Sequence, residues 1–529
     1  MPYRVAGHSD IAPAIPGAGP KLASDALFAA PVASRRGIVA IGLVVFIAFS
    51  DIALFVATAN PLIAAAPGIA AALAFAIWKT PLRHLIYALL FLACAVFAPA
   101  DVQGPVWSVM RPIQDFLFVY LNRATGISAL AILGIEALYV LLFGLAIIRF
   151  SRSSDIDARG RTPGVNALSA LVAFSFAAVL GLELWGILRG GDFRGSLFQF
   201  RQLFWLPLLT WLASYALRGP DDWRPVARVV TAGTCIKIAL GIYYLMHDQW
   251  PIGVYPKVMT SHHDSVLFVA VFFLWCAAWM HRPRVSTIIP TMLVCGWLLL
   301  GLVLNGRRIA YVSLFASLAI LFILLRGPAK RWLTRNGLRV LPLVIVYMFL
   351  ARTHSGGVFK PGNAIMSVST QEDASSTWRD AENFNLLATL RPNLLLGSGW
   401  GHEYHEVIKL DDISRFMPQY RLVAHNSILW LLGIGGILGF LLLWLPIVAG
   451  VFLATRSYHF ARDAFERTAA ATIVAVLVAF ANQAWGDMGT QGGVTILLVA
   501  VSLALAGKLA RTTGAWPDGI RLTGHRGHG

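Results

Sequence analysis

The chain has 529 residues, of which 57% are hydrophobic and only 13% charged, with a mean hydropathy of +0.68. That balance excludes a water-soluble globule with an ordinary polar surface and predicts a polytopic membrane protein. The net charge of +17 is dispersed in short Lys/Arg clusters between apolar runs, the pattern of cytoplasmic loops, so nucleic acid is excluded as a partner.

Residues 1–34 are rich in Ala, Pro and Gly without hydrophobic period and read as a disordered cytoplasmic arm. The run 37–58 exceeds the ~20 residues needed to cross a ~30 Å hydrocarbon core and reads as a retained anchor, being longer than a signal-peptide core. Further spans are expected at 61–78, 82–99, 127–148, 165–188, 197–217, 227–246, 265–281, 286–304, 309–326, 338–351, 427–454, 468–486 and 492–508. The expected fold is all-α, a polytopic integral membrane helix bundle of about 12–14 transmembrane helices. Its parts are an N-terminal transmembrane bundle (35–351), one large periplasmic loop containing short helices (352–424), C-terminal transmembrane helices (425–508) and a cytoplasmic tail (509–529). Cys94, Cys235, Cys276 and Cys295 all lie in apolar stretches and read as small buried hydrophobes.

Charge supports the alternation. With a cytoplasmic N-terminus, every second loop is basic, from Arg35-Arg36 through Arg149 and Arg218 to Lys508 and Arg511, which places both termini in the cytoplasm. The outer loops should then be poor in basic residues, and the exceptions are Arg111, Arg123, Arg189, Arg194, Arg307, Arg308, Arg379, Arg391, Arg415 and Arg421. Topology does not require them; an anionic ligand would.

Within the large loop, Ser375–Leu390 predicts a helix. Thr377 and Asp380 have capping-box spacing, Trp378, Phe384, Leu387 and Leu390 share an apolar face, and Pro392 stops it. Arg379 falls in its first turn, where a guanidinium can grip phosphate oxygens in forked geometry or snorkel to head groups. The run Gly397-Ser398-Gly399-Trp400-Gly401 offers amides that could cradle a phosphate, though a tight turn is the plainer reading. His402, His405 and Glu406 lack HExxH spacing and read as a solvated loop face, as does His262-His263-Asp264. His425, at the mouth of a very apolar span, is an ionisable group where such groups are costly. Topology brings Asn305–Tyr311, with Arg307 and Arg308, to the same membrane face as Arg379 and His425. A lipid-linked sugar diphosphate would suit that boundary.

These residues carry a resemblance. Ser376–Gly401, His425-Asn426 and Gly436-Ile437-Leu438-Gly439 resemble the signature region of the O-antigen ligase and O-antigen polymerase superfamily, which includes exopolysaccharide polymerases. The ligase pattern of His, Asn/Ser/Gln, nine residues, Gly, two residues and Gly is met by His425, Asn426, Gly436 and Gly439. Phe440-Leu441 replaces the family's following Thr pair. The Ser-Arg-Gly motif corresponds to Arg307-Arg308-Ile309, so Arg308 takes the Arg position. The likeness covers about 300–445.

The resemblance implies a metal-independent, inverting glycosyltransferase of the bacterial inner membrane, without a cofactor. It would move a glycan from an undecaprenyl diphosphate carrier to an acceptor hydroxyl at the periplasmic face, the acceptor being a glycan or lipid A core. Membrane lipids, chain-length regulators and other polysaccharide assembly proteins are the implied partners. His425 would be the general base, Arg308 and Arg379 the catalytic cations on the diphosphate, and Arg307, Asn426, Arg194 and Arg201 further substrate contacts. The unmatched Thr pair favours a polymerase over a ligase. A transporter or flippase of a lipid-linked glycan is the competing class, with Glu136, Glu183, Arg201 and Lys237 as its intramembrane candidates.

Overall fold

The computed structural model describes residues 35–58, 65–96, 111–122, 132–151, 161–256, 258–354, 357–366, 374–414 and 419–516. The expected N-terminal arm, Arg123, Arg415 and most of the tail lie outside them. Helices follow one another throughout: α1 (Arg35–Thr58), α2 (Ala66–Lys79), α3 (Leu82–Ala95), α4 (Arg111–Phe118), α5 (Gly134–Phe150), α6 (Asn166–Leu188), α7 (Phe193–Ala216), α8 (Pro220–Tyr244) and α9 (Asp264–His281). Then come α10 (Val285–Asn305), α11 (Arg308–Leu324), α12 (Gly327–Thr353), α13 (Lys360–Met366), α14 (Ala374–Leu390), α15 (Ser427–Phe460), α16 (Ala464–Gly486) and α17 (Gly493–Thr512). No strand occurs among the described residues, only an isolated bridge between Tyr120 and Leu133.

The chain is a multi-pass, all-helical membrane protein. Among the described residues, 8 helices are long and apolar enough to cross a bilayer, or 9 if one bent pair counts as a single span. Each expected span falls on a helix, but the expected number is too high by this measure. Arg308–Leu324 has only 17 residues, Gly134–Phe150 likewise 17, and α7 carries Arg194, Gln199, Arg201 and Gln202 along its length. Short or polar helices of this kind meet their polar groups inside the protein rather than facing lipid along their whole length.

Two compact units divide the chain, Met1–Lys79 and Thr80–Gly529. In the first, α1 packs on α2, and Asp51 accepts the backbone N–H of Gly68 at 3.2 Å. In the second, α15, α16 and α17 pack on one another, with α9 and α11 against α16, α6 against α15 and α7 against α17. The interior of α17 is almost wholly buried.

One irregularity shapes this unit. α15 breaks at Gly436, whose φ of 59° and ψ of −169° are open to glycine alone. The break leaves the carbonyls of Gly433 and Ile434 and the amides of Ile437 and Leu438 without helical partners. The loop after α14 supplies them: Ser398 and Gly399 donate to Gly433 and Ile434 at 3.1 and 2.8 Å, and Ile437 and Leu438 donate to Leu394 and Leu395 at 2.8 and 3.1 Å. Below the break, Trp444 stacks on Phe480 of α16 at 5.7 Å. At the other end of α15, the carbonyl of His425 accepts the N–H of Met488, just past α16, at 2.7 Å. The start of α15 therefore lies beside the end of α16, and the leg beyond the break packs against α16. Trp400 and Trp430, both fully buried, fill the space beneath the loop with ring centroids 5.8 Å apart.

A Cβ on residue 436 would lie 2.4 Å from the carbonyl of Leu395. Gly436→Ala is therefore expected to cost about 2 kcal/mol or more. It should lower the melting temperature in detergent and speed proteolysis within 352–424, while membrane insertion stays intact.

Candidate functional site

Five stretches meet at the end of the bundle where α15 begins. Asn426 caps α15, its Oδ1 accepting the N–H of Leu429 at 3.1 Å, which fixes the helix start at Ser427. His425 is thereby held at the helix mouth. Its backbone N–H donates to Glu382 Oε2 at 3.1 Å, and its Nδ1 lies 3.3 Å from Glu382 Oε1. Trp378 meets the imidazole edge-on at 5.2 Å. The Glu382 side chain is buried whereas that of His425 is 23% exposed. A carboxylate only accepts, so this contact places a proton on Nδ1, and Nε2 has no hydrogen-bond partner among the described residues.

α14 carries three of these side chains toward one side, since Glu382 lies four residues after Trp378 and three after Arg379. Arg379 points to the other side of the cluster, with Nη2 3.6 Å from Asp487 Oδ1. Asp487 ends α16 and Met488 follows with φ 50°, a left-handed turn that aims its N–H at His425.

The fourth and fifth stretches are tied by Asn305, fully buried at the end of α10. Its Oδ1 accepts from Thr260 N at 2.9 Å and Thr260 Oγ1 at 3.2 Å, and its Nδ2 donates to Ser261 O at 3.2 Å and Ser265 Oγ at 3.1 Å. This brings the loop with His262 and His263 beside Gly306-Arg307, where Gly306 turns the chain and Arg307 takes the cap position of α11. Arg307 Nε and His262 Nε2 are buried without a hydrogen-bond partner among the described residues.

The charges act on one another. Burial pushes the Asp487 carboxyl up, but its electrostatic interactions with His262, Arg379, Arg307 and His425 outweigh it and hold the group below the usual carboxylate range. Burial, reinforced by His263, pushes His262 down to about 3 against the opposing pull of Asp487, so His262 is neutral at pH 7. An acid held ionised among two guanidiniums and two imidazoles makes this a charge-organised centre.

The structure brings together His425, Arg379 and Arg307. Arg308 opens α11, half-buried, and the neighbouring Arg307 acts electrostatically on both Asp487 and His262. Arg194 is exposed in the first turn of α7. Arg201 is engaged elsewhere, with Nε 2.5 Å from Glu136 Oε1, Nη2 on Glu136 Oε2 and Nη1 3.2 Å from the Tyr120 hydroxyl. Arg189 donates to Gly397 O at 3.0 Å, Arg421 pairs with Glu403 at 2.7 Å and Arg111 with Asp115 at 3.7 Å. These three are structural contacts at exposed or half-exposed positions.

Two sequence readings need correction. His262-His263 is not a solvated loop face; Asn305 draws it into the centre. α14 begins at Ala374, so Thr377 and Asp380 lie within it, and Phe384 and Leu387 face outward while Leu386 is buried. The plainer reading of the Gly-rich turn holds: besides Ser398 and Gly399, the amides of Gly397, Trp400 and Gly401 bond to Asn393 O, Leu182 O and Gln199 Oε1. None is free for a phosphate. His402 Nε2 lies on Gly186 O at 3.2 Å and Glu406 accepts from Tyr420 and Leu410 N, so these groups do not converge.

With this geometry in view, the central part can be compared with known families. Residues 293–445 match the family model described as O-antigen ligase. This central stretch is similar to O-antigen ligases. It runs from within α10 into α15 and includes Arg307, Arg308, Arg379, Glu382 and His425; His262 and Asp487 approach it from outside. No curated protein matches the chain.

Sequence reasoning missed Glu382 and Asp487. Glu382 could have been found from its helical spacing to Trp378 and Arg379, and Asp487 as an acid closing a span at the end where His425 opens one.

The depressed Asp487 value sets a stability dependence on pH. Its contribution is fully present above the ordinary carboxylate value of about 4 and is lost as pH falls through the lower folded value. Asp487→Asn should lower the melting temperature at neutral pH, with the gap to wild type narrowing as pH falls below about 4.

Proposed function

We propose that the protein is a glycosyltransferase that moves a glycan from a polyprenyl diphosphate carrier, undecaprenyl diphosphate in bacteria, to an acceptor hydroxyl at the periplasmic face of the inner membrane. The observation that supports this best is the His425–Glu382 pair within the stretch similar to O-antigen ligases, with Arg379 and Arg307 beside it.

In this reading His425 Nε2 takes the proton of the acceptor hydroxyl. The acceptor oxygen attacks the anomeric carbon of the donor sugar from the face opposite the diphosphate. The bond from that carbon to the diphosphate oxygen breaks, the electron pair leaves with the phosphate, and the anomeric configuration inverts. Glu382 keeps the proton on Nδ1 and stabilises the imidazolium that forms, a positioning role like that of a triad carboxylate. Arg379 and Arg307 neutralise charge gathering on the leaving diphosphate, where forked guanidinium geometry is an advantage over an ammonium. Asp487 holds Arg379 and His262 in place before substrate arrives. Arg308 and Arg194 stand as secondary contacts for the carrier, and Asn426 acts through the helix cap that sets His425.

The same fold bears on the transporter reading. Lys237 is paired with Asp264 at 2.7 Å, Arg201 with Glu136, and Glu183 accepts from Ser196 Oγ at 2.8 Å. The intramembrane charges that would serve an ion-coupled carrier are thus engaged in fixed internal contacts, which favours the transferase.

His425→Ala should abolish transfer while the protein still inserts and accumulates. Glu382→Gln should lower the turnover number about 10²-fold or more with little change in KM. Arg379→Lys keeps the charge and should still lose most activity. The assay is complementation of a deletion strain, reading surface glycans by gel. Loss of long chains from lipopolysaccharide with polymer left on the carrier marks a ligase, and single repeat units or lost secreted polymer mark a polymerase. Unchanged glycans in the deletion strain would overturn the proposal.

A further inference from the structure

The segment that carries Arg379 and Glu382 ends in an uncovered apolar surface. On α14 the outward positions pass from Thr377 and Asp380, near His425, to Phe384 and Leu387, and beyond the helix to Arg391, Leu394, Leu395 and Leu396. Within the helix these positions recur every three or four residues and share one face, polar toward His425 and apolar toward the other end, and three consecutive exposed leucines follow in the turn beyond it. Leu395 is 65% exposed.

The position of that apolar end identifies its partner. The carbonyls of Leu394 and Leu395 accept from Ile437 and Leu438, so the leucine turn lies directly beside the start of the membrane-crossing leg of α15. Along that leg Leu438, Leu441, Leu445, Val448 and Phe452 are exposed at helical spacing. In a span this apolar, such a stripe faces lipid. The leucine turn, likewise exposed, adjoins the upper end of that stripe at Leu438. Arg391, exposed between Leu387 and Leu394, has the placement of a side chain whose stem covers apolar surface while its guanidinium reaches head-group phosphate.

We propose that Phe384, Leu387 and Leu394–Leu396 form a membrane-docking surface seated in the lipid leaflet at this end of the bundle. The occupant is bilayer lipid, with acyl chains against the leucines and head groups at Arg391. Docking sets the height of α14, and so keeps Arg379, Glu382 and His425 level with the head groups of lipid-anchored molecules. The inference rests on the membrane placement of α15 and stands whatever reaction the centre performs.

The test uses the full chain in phosphatidylethanolamine/phosphatidylglycerol vesicles. In a background with the four cysteines replaced by Ala, Leu387→Cys, Leu395→Cys and, as an aqueous reference, Asp411→Cys are labelled with an environment-sensitive fluorophore. Probes at 387 and 395 should lose about half their emission or more to lipids spin-labelled on the acyl chain and little to iodide, with the reverse at 411. Equal iodide quenching at 395 and 411 would overturn the proposal, as would a probe at 395 shielded from both quenchers, which indicates a covering protein. A photo-crosslinking amino acid at 395 in the chain with native cysteines provides a second measurement. Lipid adducts by mass spectrometry support docking; adducts with protein alone refute it.

Discussion

The arrangement depends on a backbone exchange between the loop after α14 and the broken helix α15. A helix interrupted within a membrane protein must satisfy the peptide groups it frees, because lipid will not. Here four backbone bonds from Leu394–Gly399 do so. The charged cluster around His425 is positioned by that exchange: it fixes where α14 ends, hence which of its faces meets His425. The interlock is apolar around and backbone-bonded within, and it leaves the charged side chains to the opposite, wetter edge.

The two carboxylates of the centre have different settings. Glu382 is buried against the imidazole and its neighbouring peptide, where it can orient a proton. Asp487 lies among Arg379, Arg307, His262 and His425 and remains ionised despite burial, where it can hold guanidiniums in place without consuming their capacity to bind a more highly charged anion.

Much of this was legible in the sequence, for identifiable reasons. Hydropathy marked the helices because lipid imposes apolar length directly, and the alternation of basic loops brought His425, Arg379 and the Arg307-Arg308 pair to one face. The Gly436 region was found by motif, yet its physical role was not: which strand of loop satisfies a broken helix depends on contacts over some forty residues, and periodicity has no information about them. His262 was misread because an isolated His-His pair looks like a polar loop until Asn305, a residue with no obvious signal, is seen to fasten it. Among the described residues, the count by length is smaller than the expected one because helices such as α5 and α11 are apolar but only 17 residues long.

The ion pair between Lys237 on α8 and Asp264 on α9 also constrains how the chain is made. Lys237 is buried deep in its span, and alone in hydrocarbon it would carry an unpaired ammonium. The same holds for Arg201 and Glu136 on α7 and α5. The two pairs differ in order: Glu136 is made before Arg201, so α7 meets its carboxylate on arrival, whereas Lys237 on α8 is compensated only when α9 follows with Asp264. Helices with internal charges are thus best accommodated in the bilayer in company.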